Sequence, residues 1–225
     1  MELIDKALRE GRTALSEYDS KQVLAAYGVP VTREVLVEDR EALSSAIATI
    51  GFPLVLKGCS AEIAHKTEQG MIRTDVRTVD EAEAGFQEIQ AAMAGADGGV
   101  LVQEMVKGKR ELVIGMIRDP QFGPSVMFGL GGIFTEILRD VSFRVAPLER
   151  RDALEMMKEI KGHKILEAVR GMEAADLDQL VDILINVGRI GLENEAVKEI
   201  DINPVILSGA KSVAVDALIV LEHVG

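Results

Sequence analysis

The chain has 225 residues, 48% hydrophobic but only 4% aromatic and without Trp, so a sizeable core must be built from Val, Ile, Leu, Ala and Met. A formal charge of −12 with no offsetting basic block argues against a nucleic-acid partner, and no apolar run reaches the roughly 18 residues of a membrane span. One cysteine, Cys59, excludes an internal disulfide and a cysteine metal cluster; with a charged, amphipathic N-terminus unlike a signal peptide, it predicts a soluble cytoplasmic protein.

Asp19 or Ser20 is placed to cap a short helix, KQVLAAY, that stops at Gly28 and Pro30. Residues 29–37 read as a strand. A second helix starts at Asp39 and ends near Gly51 and Pro53, leaving PLVLK (53–57) as a buried strand. Residues 71–76 form another strand, and Thr78 or Asp80 opens the helix DEAEAGFQEIQAAMA. GADGG (95–99) is glycine-rich and apolar-poor, and reads as the boundary between two domains, 1–98 and 99–225. Strands follow at 99–106, 110–119 and 124–131, with DPQFG (119–123) as a turn. Helices near 149–161 and 176–193 precede a terminal hairpin, 197–207 with 211–222, around Ser208-Gly209-Ala210. Strands and helices alternate in two blocks, so the expected fold is two α+β lobes facing a cleft.

Four clusters could carry chemistry. Lys57 ends an apolar strand, where it either meets phosphate oxygens as a point charge or carries its ammonium out to solvent. Eight residues on lies His65-Lys66-Thr67-Glu68-Gln69-Gly70. A neutral imidazole is a good nucleophile near pH 7. His65 could therefore accept a phosphoryl group, Glu68 could orient its ring, and Gly70 would let backbone approach a phosphate. The other reading is a loop histidine with no role; His163 and His223 stand in helical and C-terminal settings that suggest none.

GLGGIF (129–134) follows a strand and could present N–H groups to phosphate, but it matches neither a Walker A loop nor a dinucleotide fingerprint. Glu136, Arg139, Asp140 and Arg144 behind it read as a solvated charged face. Glu199, Asp201 and Asn203 share one strand face by period two, with Asp216 on the partner strand. Such oxygens are costly to bury unpaired, and either hold Mg²⁺ with nucleotide phosphates or line a solvent-facing edge. Together the clusters suit a nucleotide site for phosphoryl transfer.

The assembled motifs resemble the ATP-grasp beta subunit of archaeal-type ADP-forming acetyl-CoA and acyl-CoA synthetases, with succinyl-CoA synthetase a more distant relative. The resemblance runs through residues 15–32, 53–70, 100–148 and 199–206. It implies an ATP-grasp fold, ATP/ADP and Mg²⁺, and the reaction acyl-CoA + ADP + phosphate ⇌ acid + CoA + ATP. It implies a CoA-binding alpha subunit as partner, in an alpha2beta2 hetero-oligomer, whose phosphohistidine passes its phosphoryl group to this subunit. His65 matches the family's second phosphorylated histidine, and Lys57 the phosphate-binding lysine. Glu104, Met105 and Val106 match the adenine-contacting hinge, and Glu111 the ribose-binding carboxylate. Gly131 and Gly132 match the second glycine loop; Asn203 and Asp216 match the Mg²⁺ ligands, with Asp201 close by. Two departures stand out. Met71 follows Gly70 where the family often has a second glycine, so its side chain would narrow the phosphate approach. Ser60-Ala61-Glu62 stands where Ser-Pro-Asp or Ser-Pro-Glu is common. The competing readings are a carboxylate ligase forming an acyl phosphate directly, and a nucleotide-binding module without turnover.

Overall fold

The computed structural model describes residues 2–61, 70–93, 95–132, 140–168 and 171–222. Contacts divide the chain into two compact units: Ser16–Tyr18 with Thr32–Met105, and Met1–Leu15, Asp19–Val31 and Val106–Gly225.

The smaller unit is a four-stranded antiparallel sheet with two helices. In chain order it contains β1 (Glu34–Val37), α3 (Arg40–Ile50), β2 (Leu54–Cys59), β3 (Ile72–Val76), α4 (Val79–Ala92) and β4 (Gly99–Glu104); α1 and α2 precede them and are described below. Strand order is β1-β4-β2-β3. β2 and β4 are central, so they are buried almost throughout and read as continuous apolar runs. Both helices have side-chain caps: Asp39 accepts from the Ala42 N–H at 2.8 Å, and Thr78 from the Glu81 N–H at 3.2 Å. Leu43, Ala46, Phe86 and Ile89 then face Leu54, Leu56, Val100 and Val102 in one core.

β4 belongs to this sheet, paired with β2 from Leu54↔Glu104 to Cys59↔Gly99, so the break between units follows Met105 rather than Gly98. Gly98 and Gly99 of the 95–99 stretch serve close packing. At Gly98 (φ +142°) a Cβ would stand 2.1 Å from the Cys59 carbonyl oxygen, so only glycine lets the chain turn into β4 there. Met71 departs from expectation too. It is 4% exposed, packs in this core against Gly58, and its carbonyl accepts the Gly58 N–H at 2.8 Å. Its side chain is committed to the interior of this core.

The larger unit opens with α1 (Glu2–Arg9) and most of α2 (Glu17–Ala26). β5 (Arg110–Asp119), β6 (Gly123–Leu130), β7 (Val141–Val145), α5 (Arg150–Glu159), a 3-10 turn (His163–Leu166), α6 (Leu177–Glu193), β8 (Val197–Ser208), β9 (Lys211–Ala214) and β10 (Leu218–Leu221) follow. The sheet order is β10-β8-β5-β6-β7, with β9 also paired to β8, and every strand pairing is antiparallel. Apolar residues of α5, α6, α1 and α2 cover this sheet around Ile114, Phe128 and Ile202. The expected single strand 211–222 is broken. β9 pairs with Val205–Ser208 and β10 with the start of β8, because the backbone of Val215 bonds elsewhere, its N–H to the Pro204 carbonyl. Other boundaries move as well: α2 begins before Asp19, β1 is shorter than 29–37, and α1 and β7 are additional elements.

Two buried polar groups hold loops in this unit. The Arg110 guanidinium, 4% exposed, donates to the carbonyls of Ile165, Glu167, Glu173 and Gly209. Asp140 is also buried, and its carboxylate accepts the N–H groups of Lys161 and Gly162, each at 2.7 Å. Asp140 is thus not part of a solvated face, whereas Arg144 pairs with Glu159 at the surface. Among the described residues no helix is long and apolar enough to cross a membrane.

Candidate active site

Lys57 sits on central strand β2, and its ammonium does not reach out to solvent. It donates to Glu17 Oε1 at 2.7 Å, with side-chain exposures of 6% and 1% for Lys57 and Glu17. A buried ammonium needs acceptors and a counter-charge, and Glu17 supplies both. Glu17 is a residue that sequence reasoning did not single out. Its only signal was its place in the 15–32 segment that carries the resemblance.

His65 and Glu68 lie outside the described residues. The chain on either side of them is fixed: β2 leads in, and Gly70 (φ +69°) leads out into Met71 and β3.

Glu104 ends β4 with its carboxylate clamped by Arg33, which donates its backbone N–H to Oε1 at 2.9 Å and Nε to Oε2 at 2.8 Å. The Met105 N–H is bound to the Pro53 carbonyl at 3.3 Å. Residues 105–108 then run without regular structure into β5. Of the three expected hinge positions, Glu104 and Met105 are therefore held by local bonds, and Val106 is half-buried.

Glu111 lies on β5 directly beside the second glycine loop. The Gly131 N–H donates to the Glu111 carbonyl at 2.8 Å. Gly132 has φ +63°, and a Cβ there would stand 2.6 Å from Glu111 Oε2. Its backbone conformation favours glycine, and a Cβ there would also push the Glu111 carboxylate aside. The structure brings Glu111, Gly131 and Gly132 together; residues 133–139 are outside the described set.

The acidic group is also assembled. Along β8 the exposed or half-buried Glu199, Asp201 and Asn203 alternate with Ile200 and Ile202, which are 1% and 0% exposed. Asp216 lies in the connection from β9 to β10, beside β8. Burial pushes the Asp201 carboxyl above the ordinary aspartate range, and the nearby charges of Glu199 and Asp216 push it further. A divalent cation would relieve that repulsion, and an all-oxygen donor set suits a hard ion such as Mg²⁺. Among the described residues no three His, Cys, Asp or Glu side chains form a ready cage, so such an ion would need the Asn203 amide and oxygens from outside the protein. That fits a cation carried by phosphate groups rather than one held by protein alone.

A family model of the ATP-grasp domain matches residues 6–221. The chain belongs to the ATP-grasp family. Within it, the similarity is to ADP-forming acetate–CoA ligases. The beta subunit of the Pyrococcus furiosus acetate–CoA ligase [ADP-forming] I is 43% identical over 225 residues, covering 98% of this chain and 97% of that one. The Archaeoglobus fulgidus acetate–CoA ligase [ADP-forming] I is 39% identical over 98% of this chain, which matches only 33% of that longer protein. A solved structure of the Ca. Korarchaeum cryptofilum acetyl-coenzyme A synthetase 1, in complex with coenzyme A and Mg-AMPPCP, superposes with a TM-score of 0.88. Its sequence is 45% identical, covering 98% of this chain and 99% of that one. Its phosphohistidine segment points towards the nucleotide binding site. This ATP-grasp chain thus matches a separate subunit in one archaeon and one-third of a longer chain in another.

Proposed function

We propose that this chain is the nucleotide-handling subunit of an ADP-forming acyl-CoA synthetase, acting in acyl-CoA + ADP + phosphate ⇌ acid + CoA + ATP. The observation that carries the reading is the near full-length match to a beta subunit of the same extent. His65 is the relay residue. A neutral ring nitrogen attacks the phosphorus of a phosphohistidine on the partner subunit; a new N–P bond forms as the old one breaks, and the partner's imidazole leaves. An oxygen of the ADP β-phosphate then attacks the same phosphorus, ATP forms, and His65 returns neutral. Glu68 holds the ring and offsets the positive charge of the phosphorylated imidazole.

The remaining roles follow from chemistry at each position. Lys57 provides a fixed positive charge for phosphate oxygens, and Gly131 and Gly132 offer backbone beside them. Glu111 accepts from ribose hydroxyls, while the backbone at Met105 and Val106, with Glu104, borders adenine. Asn203, Asp216 and Asp201 would hold Mg²⁺, which when bound neutralises charge on the phosphates in transfer. The thioester chemistry belongs to a CoA-binding alpha subunit, in an alpha2beta2 assembly. A single buried cysteine suits a reducing cytoplasm for it.

The test is labelling with γ-phosphate-labelled ATP and Mg²⁺, with and without the alpha subunit, on the natural chain and on His65→Ala. Acid-labile, base-stable label is expected on the natural chain and absent from the variant, which should still bind nucleotide. A natural chain that binds ATP beside its partner and never labels would overturn the relay.

A further inference from the structure

The connection from β9 to β10 carries Asp216 and has no regular structure of its own between Ala214 and Leu218. Its first residue, Val215, and the strand residues on either side are nevertheless tied by hydrogen bonds. The Ala214 N–H donates to the Pro30 carbonyl at 2.8 Å, and the Val215 N–H to the Pro204 carbonyl at 3.0 Å. The second of these ties the residue before Asp216 to the residue after Asn203. The two other ties come from side chains of consecutive residues on α2. Lys21 Nζ donates to the Val215 carbonyl at 3.3 Å, and Ser20 Oγ accepts the Ile219 N–H at 3.1 Å. Both side chains belong to residues that are 0% exposed.

A fully buried lysine is costly, and packing alone does not call for one. Its neighbours Val23 and Leu24 on the same helix are the residues that a core position ordinarily takes. Ser20 and Lys21 stand one residue apart on the helix, about 100° around its axis, and so reach the Asp216 connection before and after the carboxylate.

We propose that Ser20 and Lys21 are positioning residues that fix the Asp216 carboxylate for a divalent cation. The proposal rests on the reading of Asp216 as a Mg²⁺ ligand. Neither residue touches the ion or the nucleotide. They hold the backbone on both sides of the ligand, as outer-shell groups do in metal sites generally. Without them the chain could still fold around its apolar core, but Asp216 would lose its register against Asn203.

The experiment uses the full chain with Mn²⁺ as probe. Free Mn²⁺ is read by electron paramagnetic resonance in the presence of ADP, and ADP affinity is measured separately without metal. The variants are Lys21→Met, which keeps the aliphatic stem, Ser20→Ala, and Asp216→Asn; melting temperatures are recorded for all. Lys21→Met is expected to weaken Mn²⁺ binding by about 10- to 100-fold, the range for lost outer-shell partners, with metal-free ADP affinity unchanged. Ser20→Ala is expected to shift it in the same direction by less. If Asp216→Asn loses Mn²⁺ while both α2 variants keep natural affinity, the positioning role is overturned and the ligand reading stands. If the α2 variants lose metal-free ADP affinity equally, the role is general support and the proposal is again overturned. If Asp216→Asn binds Mn²⁺ normally, the ligand reading itself fails and the proposal with it. Should Lys21→Met not fold, Ser20→Ala decides, and natural Mn²⁺ affinity in it overturns the proposal.

Discussion

Glu17→Ala is the most direct test of how Lys57 is held. Exposed ion pairs contribute about 0–1 kcal/mol, because water and salt screen them. The Lys57–Glu17 pair is of another kind, 2.7 Å apart with side-chain exposures of 6% and 1%. Removing one member of a buried pair strands the other charge and costs about 3–5 kcal/mol. At about 2–4 °C per kcal/mol for a chain of this size, the melting temperature should fall by roughly 6–20 °C. Scanning calorimetry with urea unfolding measures both quantities. The double variant Glu17→Leu/Lys57→Met removes both charges and should return close to natural stability. That variant also separates fold from function: it should be stable yet bind nucleotide weakly if Lys57 is the phosphate-binding cation proposed above. A loss below about 1 kcal/mol for Glu17→Ala would refute the reasoning, because the pair would then behave as a surface contact.

Gly132→Ala should weaken ADP binding while costing only about 1–2 kcal/mol of stability, the ordinary penalty for an L-residue in the left-handed region; isothermal titration and calorimetry check the two separately. Its Cβ would push on Glu111 Oε2, and unchanged ADP affinity would remove Glu111 from the ribose role. Arg110→Met should cost at least about 3 kcal/mol, since four backbone carbonyls lose a buried donor at once. For Asp201 the sign follows from its raised carboxyl. The folded state holds that proton more tightly than the unfolded chain, so its contribution is fully present below the ordinary aspartate value and lost as pH rises through the raised one. Asp201→Asn should therefore stabilise the metal-free chain at neutral pH, with the gain shrinking on acidification. Adding Mg²⁺ with ADP should stabilise the natural chain more than the variant, and urea titrations across pH test both.

The local order of the fold was legible wherever a short-range pattern decides it. β5 occupies the expected 110–119, and the turn after it forms because the Asp119 carboxylate accepts the Gln121 and Phe122 N–H groups. α6 follows its apolar spacing and its Asp176 cap. What the pattern does not carry is partnership across distance. Val215 through Leu218 reads as uninterrupted strand, yet it breaks because Lys21, 194 positions away, and Pro204 claim the Val215 backbone. GADGG reads as a domain boundary by composition, while Gly98 serves a close backbone approach at Cys59 and Gly99 one at Val37. At the site, Lys57, Glu111, the glycine loop and the acidic strand were visible as residue types in suggestive places. Glu17 was not, because a carboxylate 40 positions upstream has no local mark of its role.

The larger unit is closed by its own ends. Leu15 donates to the Ile219 carbonyl, Leu221 donates to the Thr13 carbonyl, and Ala14 bridges Val220. Residues 32–105 form the smaller unit as a nearly continuous stretch inserted within this loop of chain. During synthesis the inserted stretch could therefore complete its sheet while the surrounding unit still waits for residues near 221 to leave the ribosome. The same closure brings residues 13–15 and 219–221 side by side, so deleting β10 would also release residues 13–15 from their backbone partners.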